Sequence, residues 1–141
     1  MTAVTTATTA LEVRQALAAA LRVIPGLNAQ PYLLGNLMPP TAVVTRGPIA
    51  YDQAFQGGVH TWTFIVRAFV ASVTDIGAQT LLDEFLSAEG ERSVKAAIEA
   101  DTSLGGIVSD LHVTGASGEQ EFVREGGGPL LFSEWTVEVW L

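Results

Sequence analysis

The residues that come closest to a catalytic set are Ser109, Asp110 and His112, in the run Ser109-Asp110-Leu111-His112. A hydroxyl, a carboxylate and an imidazole are what nucleophilic acyl transfer needs: an attacking oxygen, a base to take its proton, and an acid to orient that base. On a strand the spacing defeats the chemistry, because Asp110 and His112 share one face and Ser109 points to the other. Ser117, in Gly115-Ala116-Ser117-Gly118, lacks the flanking spacing of a nucleophile elbow. His60 is the other histidine and cysteine is absent, which removes thiol nucleophiles, disulfides and thiolate metal sites together. Two histidines without short spacing do not suggest a transition-metal site. Asp83-Glu84 and Glu89-x-Glu91 fit no calcium-loop pattern and read as solvated helix faces. Gly126 to Gly128 precede Pro129 and a strand, where a phosphate loop would deliver a helix N-terminus. The expectation is a protein that is not an enzyme, with no catalytic, metal or cofactor-binding residues and no cofactor.

The elements that would position any site follow from periodicity. Thr9-x-x-Glu12 is a capping box, and Ala10, Val13, Leu17, Ala20, Leu21 and Ile24 follow at helical spacing until Pro25-Gly26. Short strands are predicted over 28–34 and 41–46, separated by a segment containing Pro39-Pro40. The stretch 47–58 reads as a loop holding Ile49, Tyr51 and Phe55, three large apolar groups in need of partners. They serve either as a lid folded over the core or as an arm that contacts another subunit. From Val59 to Ser72, Trp62, Phe64, Val66, Ala68 and Val70 alternate with Thr61, Thr63, Ile65, Arg67 and Phe69. That strand would span roughly 40 Å and is expected to outrun its own sheet.

Helices are predicted over 75–86, capped by Thr74, and over 91–100; strands over 107–114, 120–125 and 130–141 close the chain. The order α-β-β-β-α-α-β-β-β indicates an α+β fold, a mostly antiparallel sheet with helices packed on one face. In the last strand Trp135, Val137, Val139 and Leu141 point one way and Glu134, Thr136, Glu138 and Trp140 the other. A tryptophan on each face predicts that the second face is also covered, by another copy of the protein.

At 141 residues the chain is read as one domain over 1–141, with the Thr/Ala-rich residues 1–9 frayed. With no basic leader and no apolar run near the ~18 residues of a membrane span, it is expected to be soluble, unprocessed and free of membrane. A hydrophobic share of 48% and a mean hydropathy of +0.34 suit a chain that hides surface in an oligomer. The net charge of −8 is uneven. Residues 1–70 hold four arginines against Glu12 and Asp52, a balance of +2, while residues 71–141 hold thirteen acids against Arg92, Lys95 and Arg124, a balance of −10. This polarity either orients head-to-tail contacts between identical subunits or makes a solvated acidic face. It disfavours a grip on nucleic-acid phosphates. The candidate interface residues are Ile49, Tyr51, Phe55, Arg67 and Trp140.

Several runs carry a family resemblance: ALRVIPGL at 20–27, PPTAVV at 39–44, Tyr51-Asp52 and WTFIVR at 62–67 in the first half. In the second half they are TDIGAQTLLDEFL at 74–86, SVKAAIE at 93–99 and WTVEV at 135–139. Together, over nearly the whole chain, they resemble the tail terminator (tail-completion) proteins of long-tailed, non-contractile actinobacterial phages. The resemblance implies an α+β subunit of a homo-hexameric ring on the head-proximal end of the tail tube, which stops tube polymerisation and joins the head. Its implied partners are itself, the tail tube protein and a head-side connector or stopper protein, with DNA passing through the lumen without specific binding. The implied location is the neck of the virion, after assembly in the host cytoplasm. Other neck components, such as head-closure or head-tail joining proteins, share its size and lack of chemistry. A small cytoplasmic ligand-binding domain or enzyme is the alternative from another class.

Overall fold

The structure, a computed structural model, describes residues 8–32, 38–51, 60–71, 76–123 and 128–141. Along the chain run α1 (Ala10–Leu21), β1 (Asn28–Gln30), β2 (Thr41–Ala50), β3 (Thr61–Ala71), α2 (Ile76–Leu86), α3 (Val94–Glu99), β4 (Asp110–Ala116), β5 (Gln120–Phe122) and β6 (Leu130–Trp140). The fold is α+β, in the order expected. The six strands form one sheet, β1-β2-β3-β6-β4, with β5 beside β4 on the same side of β6. β1 and β2 pair in parallel; the other pairs are antiparallel.

The period of two in β3 and β6 decides where everything else lies. Phe64, Val66, Ala68 and Val70 are buried with Trp135, Val137 and Val139 on one face. There they meet Val13, Leu17 and Leu21 of α1, Leu82 and Phe85 of α2, and Val94 and Ile98 of α3. All three helices therefore contribute to the core on one side of the sheet, the arrangement by which each apolar stripe leaves water. The opposite face carries a smaller cluster of Val43, Phe69, Leu130 and Phe132, closed by Phe122 of β5.

Several boundaries differ from the sequence expectation. β3 does not outrun its sheet: it pairs with β6 without interruption from Thr61↔Trp140 to Ala71↔Leu130, because β6 is equally long. β2 does not stop at Arg46 but continues through Gly47-Pro48 to Ala50, with an irregularity between Arg46 and Ile49. β1 pairs only with residues 41–43, so Pro48 lies where β2 forms an outer edge, and the bulge accommodates its missing N–H. Ile49 is thus a strand residue. β1 ends at Gln30, before Pro31; residues 33 and 34 of the predicted strand lie outside the described residues. α3 starts at Val94 because Ser93 caps it, its hydroxyl accepting the Ala96 N–H at 3.0 Å. The predicted cap of α2, Thr74, lies outside the described residues, as do residues 1–7. β4 starts three residues late. The turn before it has positive φ at Leu104, Gly105 and Gly106, and the Asp101 carboxylate accepts from the Ser103 and Gly105 amides.

At the sheet margin, Glu99 of α3 reaches β4. Its Oε2 accepts the Val113 N–H at 2.9 Å and stands 3.0 Å from His112 Nδ1, while Oε1 accepts from Lys95 Nζ. Burial pushes this carboxyl up, but the Lys95 hydrogen bond, the Val113 amide and the charges of Lys95 and His112 outweigh it. The group is held below its ordinary value of 4.5.

Two outcomes follow for stability. Phe64→Ala, at a position with 0% exposure, is expected to cost about 3–5 kcal/mol in urea unfolding. Glu99→Gln is expected to lower stability by about 1 kcal/mol above pH 4.5. Because the folded-state pKa is the lower one, that difference should shrink as pH falls through it. A penalty unchanged between neutral pH and acid would show that the charge of Glu99 does not hold the margin.

Candidate functional site

α1 covers only part of β2. α1 has twelve residues and is about 18 Å long, whereas the ten residues of β2 extend about 33 Å. Arg14 of α1 donates from Nη1 to the Val44 carbonyl at 3.3 Å, and β2 is buried only as far as Val44. Beyond it, residues 45–50 are half-buried or exposed by turns.

This uncovered end of the sheet is where the register gathers large side chains. Ile49 stands opposite Trp62, and Trp62 opposite Val139, on the side the helices occupy further along. In the last row Ala50, Thr61, Trp140 and Asp110 pair in turn, with Trp140 on the helix-free face. The end of the sheet is therefore flanked by a tryptophan on each side. Past it, Tyr51 is 66% exposed and meets the His60 ring edge-on, with centroids 5.9 Å apart. The Leu141 amide donates to the His60 carbonyl at 3.1 Å, which ties the last residue to this corner.

Two groups here lack partners. Trp62 packs 6.2 Å from the Phe64 ring, and its indole Nε1 is shielded from solvent with no acceptor among the described residues. An orphaned donor of this kind costs about 1–3 kcal/mol. Arg46, opposite Phe64 in register and exposed, makes no ion pair among the described residues.

Of the five predicted interface residues, Ile49, Tyr51 and Trp140 come together at this end. Phe55 lies outside the described residues. Arg67 stands apart, about 20 Å up β3 by strand rise. It pairs with Glu134 at 2.9 Å and lies 5.9 Å from the centre of the Phe132 ring, so it supports the helix-free face of its own chain. Arg46 and Trp62 were not singled out from sequence. Alternation puts Trp62 on the core side, where it packs half-buried against the main core.

The other chemistry-bearing residues are engaged structurally. Asp110 Oδ1 accepts the Leu111 amide at 2.9 Å, the Ser109 amide donates to the Trp140 carbonyl, and His112 faces Glu99. Between α2 and α3 a shallow groove is lined by Glu84, Ser87, Glu89, Gly90, Glu91 and Arg92. Glu84 pairs with Arg92 at 2.8 Å, and the hydrogen bond raises the arginine pKa. Glu89 and Glu91 are exposed and make no ion pair among the described residues. No group of three or more His, Cys, Asp or Glu among the described residues is placed to hold a metal ion. Among the same residues no helix is long and apolar enough to cross a membrane.

No protein-family model matches the chain, and no curated protein sequence matches it. The end of the sheet thus brings together Ile49, Tyr51 and Trp140, with Arg46 exposed on β2 and in no ion pair among the described residues. Tyr51→Ala is expected to change unfolding free energy by no more than about 0.5 kcal/mol, since an exposed ring supports no core. A larger loss in urea unfolding would place Tyr51 in the fold instead of on a contact surface.

Proposed function

We propose that the chain is a structural subunit that assembles into a ring at the head-proximal end of a phage tail tube. There it stops tube polymerisation and provides the joint to the head-side connector. The resemblance to tail terminator proteins suggests the role, and the uncovered sheet end is the observation that carries it. A surface of this composition, with Tyr51, Arg46 and the half-buried Trp140 at one end of the sheet, is the kind on which binding energy concentrates. A subunit that caps a polymer needs a contact surface of this sort and no reaction chemistry.

On this reading the partners are further copies of the chain, the tail tube protein and the head-side connector or stopper. The protein acts as a non-catalytic, cofactor-free component of the virion neck. The charge pattern supports the passage of DNA through a ring. A net charge of −8, with the excess in residues 71–141, offers phosphates repulsion and no grip, so the genome slides without specific binding.

Electron microscopy of tails made by a phage lacking this gene tests the proposal. Tubes extended well beyond the normal length are the expected result. Normal tails beside heads that fail to join would overturn termination and move the protein to the head-closure side of the neck.

A further inference from the structure

We draw no further inference here: the strongest candidate, the surface patch of exposed Val23, Met38, Ile76 and Val123 around the end of the sheet where β3 stops and β6 begins, is an unpartnered apolar face, and nothing in the structure shows what covers it.

Discussion

Eleven residue pairs join β3 to β6, and the rest of the molecule takes its position from that ladder. An antiparallel pair of this length fixes which side of every residue faces the core, because a slip of β6 by one position would turn Trp135, Val137 and Val139 outward together. With the register set, the helices have one continuous apolar face on which to settle, and α1, α2 and α3 all use it. The small cluster around Phe69 and Phe132 forms on the other side because β5 adds Phe122 there and the Arg67–Glu134 pair lies beside it.

The same ladder produces the mismatch on which the functional reading rests. A strand gains about 3.3 Å per residue and a helix about 1.5 Å, so a helix with a similar number of residues covers about half of the strand beneath it. α1 and β2 differ in this way, and the less buried half of β2 holds Arg46 and Ile49. A proline-containing bulge at Gly47-Pro48 keeps β2 in the sheet over that half. The assembly surface we propose lies along this half of β2, where a long strand runs on past the helix packed on it.

Much of the architecture was legible in the sequence because it depends on local periods. The alternation of Trp62 to Val70 and of Trp135 to Val139 identified β3, β6 and their buried faces, and Thr9 stands at the start of α1 as the capping box indicates. What was missed depends on partners distant along the chain. Gly47-Pro48 reads as a break unless one knows that β1 leaves that edge of β2 unpaired. Arg67 reads as a candidate interface residue, and its pairing with Glu134 emerges only once β6 lies beside β3. Glu99 carries no signal of its role until β4 offers the Val113 amide. The candidate site was half legible: Ile49, Tyr51 and Trp140 read as apolar groups in need of partners, whereas Arg46 stands out only once β2 is seen to continue past Val44 into a less buried half.

The outer strands have a consequence for the behaviour of the protein in quantity. A bare sheet margin is a template on which other chains stack by backbone hydrogen bonding, which is how fibrils begin. Here a bulge with Pro48 interrupts one margin. On the other, Glu99 occupies the Val113 amide and a second irregularity falls between Val113 and Gly115. Copies crowded together are therefore steered away from endless strand-on-strand growth, and side-chain recognition is left to decide how they meet.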